Sequence, residues 1–129
     1  MRKSLWIVAV VGALALAACG GGGGGGGSTA AANCKPSGTT ITVLAQGLEF
    51  DKTCYAAPAD TPFKVNLDNK DSALHTFSIY TDNSATKALF VSPSISVGTK
   101  TFSVKGIAAG TYYFQCDVHK NMNGAFVVK

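Results

Sequence analysis

Gly110-Thr111-Tyr112-Tyr113-Phe114-Gln115-Cys116-Asp117-Val118-His119-Lys120-Asn121-Met122-Asn123-Gly124-Ala125-Phe126-Val127-Val128 holds two apolar runs separated by a short polar stretch. In the first run Tyr112, Phe114 and Cys116 share one face, while Tyr113 and Gln115 share the other. That period of two marks a half-buried strand. The same reading predicts strands at Thr39–Ala45, Phe63–Leu67, Thr76–Tyr80, Lys100–Val104, Thr111–Cys116 and Gly124–Val128, with a weaker one at Phe50–Tyr55. Turn formers separate them: Pro58-Ala59-Asp60, Asp68-Asn69-Lys70-Asp71, Thr81-Asp82-Asn83-Ser84 and Ala108-Ala109-Gly110. Ser84–Phe90 reads as a short helical turn, and nothing after the N-terminal segment reads as a long amphipathic helix. The expectation is an all-β fold, a sandwich or barrel with Greek-key connections, the β-sandwich preferred. With 129 residues there is room for one domain, drawn at residues 34–129.

The polar stretch carries the chemistry. Cys116, His119 and Met122 place a thiolate, an imidazole and a thioether within seven residues. The other histidine of the chain, His75, opens the run His75-Thr76-Phe77-Ser78-Ile79-Tyr80, in which His75, Phe77 and Ile79 share the apolar face. Cys116 ends one strand and His75 begins another, so antiparallel neighbours bring both to one end of the sandwich. His119 and Met122, on the loop that follows, can fold over that end. Taken singly, a histidine on an apolar face is a core residue more often than a ligand, and a methionine near a turn is usually core filler. Taken together, one Cys, two His and one Met are the soft and borderline donors of a blue-copper electron-transfer centre. Zinc would more usually recruit further Cys, His or carboxylate ligands.

Residues 1–18 read as a secretory signal peptide. Arg2 and Lys3 form a basic start, and the apolar stretch Leu5–Ala18 is fourteen residues long, too short for a comfortable span. Leu16-Ala17-Ala18-Cys19 looks like a bacterial lipobox, which makes Cys19 the lipidated residue; ordinary cleavage leaving Cys19 free is the alternative. Eight glycines, Gly20–Gly27, then open a flexible tether over residues 19–33, with an r.m.s. reach of roughly 20 Å. The expected localisation is extracytoplasmic, anchored to a bacterial membrane by lipid.

Removing Arg2 and Lys3 from eleven basic and seven acidic residues leaves a formal charge of +2, with no arginine and no basic cluster. Nucleic-acid binding is therefore not expected, and the domain reads as a monomer. In an oxidising compartment, a lipidated Cys19 and a metal-bound Cys116 leave Cys34 and Cys54 to form a disulfide; a disulfide from Cys116 to either is the competing arrangement.

At this point the chain resembles the small cupredoxins, from about Thr39 to Lys129. Gly110 to His119, continuing through Met122-Asn123-Gly124, is similar to that family's copper loop, and the short Cys-x-x-His-x-x-Met spacing is similar to the amicyanin type. Asn69-Lys70-Asp71 followed by His75 is similar to the family's first-ligand segment. The resemblance implies one type 1 copper held by His75, Cys116, His119 and Met122, no bond-making chemistry, and a redox partner protein such as a cytochrome or oxidase. For such a site, the loop's placement points to His119 as the electron port, with an apolar docking patch expected around Pro93, Ile95 and Met122. Many cupredoxins carry Asn directly after the first His, where this chain has Thr76. Copper delivery or storage is the main rival, although repeated Met or His donors are missing. A Cys-His nucleophile without a third orienting group, and a purely structural adhesion-like sandwich, are weaker rivals.

Overall fold

The computed structural model describes residues 31–129, so the expected signal peptide, Cys19 and the glycine run lie outside the described residues. Nine strands form two mixed sheets: β1 (Thr40–Gln46), β2 (Glu49–Phe50), β3 (Cys54–Ala57), β4 (Phe63–Asn69), β5 (Ser78–Tyr80), β6 (Ala88–Val91), β7 (Gly98–Val104), β8 (Gly110–Gln115) and β9 (Asn123–Val128). The first sheet has the order β2-β1-β4-β7, the second β3-β9-β8-β5-β6. The chain changes sheet five times, which produces the crossing connections of the expected sandwich. Two pairings are parallel, β1 with β4 and β3 with β9; the others are antiparallel.

Strand parity builds the core. Along β4, Phe63, Val65, Leu67 and Asn69 are buried while Lys64, Asn66 and Asp68 reach toward solvent. β1 sends Ile41, Val43 and Ala45 inward from the same sheet. They meet Phe77, Ile79, Phe114, Phe126 and Val128 of the other sheet, and most of these side chains are fully buried. Phe77 stacks on Phe114, with ring centroids 5.3 Å apart, and Tyr55 and Phe50 pack edge-on against both. Phe77 and Phe114 of this group lie two residues from His75 and Cys116, respectively.

Two expectations are corrected. The weak strand at Phe50–Tyr55 is two strands in different sheets, because Asp51 locks a corner between them. Its Oδ1 accepts the Leu44 N–H (2.9 Å) and the Tyr55 hydroxyl (2.6 Å), and its own N–H donates to the Leu44 carbonyl (3.0 Å). The helical turn expected at Ser84–Phe90 is a turn followed by β6, which pairs with β5. Ala85 has φ +51°, a left-handed conformation that a right-handed helix does not accommodate. Asp82 holds this turn by accepting the Ser84 N–H.

Cysteines 34 and 54 form the expected disulfide, with Cα atoms 6.1 Å apart, and Cys116 is a free, buried thiol. Among the described residues, no helix is long and apolar enough to cross a membrane.

Candidate metal centre

The antiparallel pairing of β5 with β8 sets Ser78 opposite Gln115 and brings His75 and Cys116 to the same end. His75 does not sit in the regular strand. It forms an isolated bridge with Ile95, donating its N–H to the Ile95 carbonyl (3.1 Å) and accepting the Ile95 N–H (2.9 Å). Cys116 lies one residue beyond β8, where its N–H donates to the Met122 carbonyl (2.8 Å). The Met122 N–H in turn donates to the His119 carbonyl (2.9 Å), so the loop folds back on itself and closes the end of the core.

This geometry gathers the predicted donors. Cys116 Sγ is 3.8 Å from His75 Nδ1 and 4.0 Å from His119 Nδ1, and these three donor atoms all lie within 4.8 Å of one another. The two imidazole centroids are 5.0 Å apart. His75 and Cys116 are fully buried, Met122 is buried, and His119 is half-exposed. A buried soft thiolate between two imidazole nitrogens fits a single copper in either oxidation state, with room in the donor set for a weak thioether. His75, Cys116, His119 and Met122 thus form a candidate blue-copper site.

The surroundings orient these side chains. His75 Nε2 lies 2.9 Å from Asp71 Oδ2, and an ionised carboxylate there is an acceptor for an Nε2–H, with Nδ1 on the side facing Cys116. The N–H groups of Leu48 and Gly47, and then His75, hold the Asp71 carboxyl below the usual carboxylate range. Thr76 answers for the missing Asn. Its N–H points at Cys116 Sγ (3.4 Å), and its hydroxyl lies 3.8 Å from the same sulfur while accepting the Asp117 N–H (2.7 Å). The Asp117 carboxylate accepts Ser78 Oγ–H (2.5 Å), Tyr80 O–H (2.7 Å) and a Gln115 Nε2–H (3.0 Å). Burial alone would raise its pKa, but the Ser78, Gln115 and Tyr80 bonds, with Lys120 nearby, hold it below the ordinary value.

Sequence reasoning missed Asp71 and Asp117. Asp71 had a usable signal, its place four residues before His75. Asp117 had none beyond being next to Cys116. The expected apolar patch is corrected too. Ile95 (7% exposed) and Met122 (2%) belong to the core, because the His75 bridge draws Ile95 inward and the loop folds Met122 beneath itself. Of that trio only Pro93 faces solvent. The large apolar side chains exposed beside the site's residues are Leu74, next to His75, and Val118, next to His119, with Leu48 on the turn held by Asp71.

Sheets, loop and donor set together give the described residues the architecture of a β-sandwich with a candidate copper site at one end. Residues 7–128 match the family model of the cupredoxin-like domain, and the chain belongs to that family. Its fold is similar to that of auracyanin from the photosynthetic bacterium Roseiflexus castenholzii, at 20% identity and a TM-score of 0.64, over 73% of this chain and 99% of that one. It is similar as well to auracyanin A, described as a "blue" copper protein, from Chloroflexus aurantiacus (21%, TM-score 0.60, 70% and 98% of the two chains). A point variant of amicyanin in its reduced Cu(I) form matches at 20% identity and a TM-score of 0.55, over 77% and 89%. No curated protein sequence matches the chain.

Proposed function

We propose that this protein carries single electrons through one type 1 copper held by His75, Cys116, His119 and Met122, and that it does so outside the cytoplasm, tethered to a membrane through a lipid on Cys19. The observation that supports it most is the buried Cys116 thiol set between two imidazole Nδ1 atoms at 3.8 and 4.0 Å. Copper, when bound, supplies the Cu(II)/Cu(I) couple. The chain supplies a braced frame: His75 is pinned by main-chain and carboxylate bonds, and the ligand loop by its own main-chain bonds. His119, half-exposed and adjacent in the chain to the exposed Val118, is the electron port toward a redox partner such as a cytochrome or oxidase. Gly20–Gly27 gives the domain the reach to meet that partner above the bilayer.

Titration of the protein with Cu(II), followed by visible absorption, tests the reading. The expected result is an intense thiolate-to-copper band, bleached reversibly by reductant and missing in Cys116→Ser. A colourless or Cu(I)-only complex would point to copper delivery or storage, and no binding would end the metal reading. For the anchor, Cys19→Ser should abolish incorporation of labelled fatty acid and release the protein from membranes.

A further inference from the structure

Asp71 is no member of the donor set, yet three donors hold its carboxylate beside it. Its Oδ1 accepts the Gly47 N–H (2.7 Å), and its Oδ2 accepts the Leu48 N–H (3.0 Å) and the His75 Nε2–H (2.9 Å). Its own N–H donates to Asn69 Oδ1 (2.8 Å), and the fully buried Asn69 donates to the Ala73 (2.8 Å) and Ile95 (3.1 Å) carbonyls. Lys70, the adjacent cation, is turned to Asp68 at 3.0 Å. Asp71 therefore presents a charge fixed in direction.

Its three donors come from two parts of the sandwich. Gly47 and Leu48 form the turn between β1 and β2, both in the left-handed region (φ +68° and +61°), which disfavours a leucine. His75 leads into β5 of the other sheet. One carboxylate thus braces an unfavourable turn and orients a buried imidazole. An acceptor-only partner on Nε2 selects a single ring tautomer, and its charge, one imidazole away from the donor cluster, favours the more highly charged metal ion.

We infer that Asp71 is a positioning residue that holds His75 in the Nε2–H tautomer and biases the site toward Cu(II). The inference rests on the reading of His75 as a copper ligand. The competing role is a brace for the Gly47–Leu48 turn and nothing more.

The test compares the full chain with Asp71→Asn, which keeps shape and loses charge, and Asp71→Ala, which loses both. Imidazole 15N NMR of the copper-free protein should show His75 protonated at Nε2 alone in the parent and a tautomer mixture in Asp71→Ala. After copper loading, Asp71→Asn should lower the Cu(II)-to-Cu(I) affinity ratio about tenfold, a rise in potential of about 59 mV for one electron. If both variants keep the parent's tautomer and potential and only melt earlier, Asp71 is a turn brace and the inference is overturned. Should Asp71→Ala not fold, the near-isosteric Asn variant decides between these outcomes. A parent protein that shows no thiolate-to-copper band refutes the functional reading, and the copper-free tautomer comparison then decides the role of Asp71 by itself.

Discussion

Replacing Thr76 by Val removes one oxygen and keeps a β-branched shape, so the effects trace to the hydroxyl. That hydroxyl sits between two parts of the ligand frame: it accepts the Asp117 N–H at 2.7 Å and lies 3.8 Å from Cys116 Sγ, in a residue only 7% exposed. Valine leaves the half-buried Asp117 N–H without its acceptor, a loss of about 1–3 kcal/mol. For a domain near 100 residues each kcal/mol shifts the melting temperature by roughly 4–8 °C, so a mid-range 2 kcal/mol predicts a fall of about 8–16 °C in copper-free protein. The second effect is smaller. Losing a long, weak donor to the thiolate leaves the sulfur a stronger donor to Cu(II) and lowers the potential, by under about 40 mV if the contact contributes less than about 1 kcal/mol. The Thr76 N–H, at 3.4 Å from Sγ, stays in place. Thermal melting followed by circular dichroism, with Thr76→Ser as the control that restores the oxygen, measures the main effect. A Val variant that melts with the parent would show that the Asp117 N–H does not depend on this hydroxyl, and the account of Thr76 as the bridge would fail.

Phe77→Ala should destabilise the domain by about 3–5 kcal/mol, because Phe77 is fully buried and touches the rings of Phe50, Tyr55, Phe114 and Phe126. Urea unfolding measures it, and a loss under about 1 kcal/mol would contradict the packing described. Converting Cys34 and Cys54 together to Ser opens a link spanning 20 residues and should lower stability by roughly 3 kcal/mol, visible as a lower denaturant midpoint that reductant no longer changes. Tyr55 is held un-ionised first by burial and then by its bond to Asp51, well above the ordinary tyrosine value. Its folded-state pKa is raised, so its contribution to stability is complete below the unfolded value near pH 10 and is lost as pH rises beyond it. Alkaline unfolding should therefore steepen above about pH 10. In Tyr55→Phe that slope should shrink by one proton, and an unchanged slope would argue against the buried pair.

Residues with the same outward pattern took different parts once the chain folded. His75 and His119 are both imidazoles near apolar runs, yet one is sealed beneath the ligand loop and the other half-exposed above it. That difference in exposure arises because His75 bridges to Ile95 inside the sandwich while His119 sits on the loop that closes it. Met122 and Ile95 show the converse: apolar residues in polar surroundings along the chain, they are core in space.

What could be read along the chain were properties carried by neighbours in sequence. The alternation in Phe63–Leu67 and Thr111–Cys116 marked strands and their inner faces, and the Cys116, His119 and Met122 spacing marked a donor loop, because a strand's side-chain period and a loop's reach are local quantities; His75, 41 residues before Cys116, reached that loop through the pairing of β5 with β8. The tertiary structure alone decided the parallel pairing of β1 with β4 and of β3 with β9, the split of the strand expected at Phe50–Tyr55, and β6 where a helical turn was expected at Ser84–Phe90. It alone joined Asp71 to Gly47 across 24 residues and Asp117 to Thr76 across 41. A hydrogen bond needs its partners within about 3 Å and suitably aligned, and for segments so far apart in the chain only the packing of the two sheets brings that about.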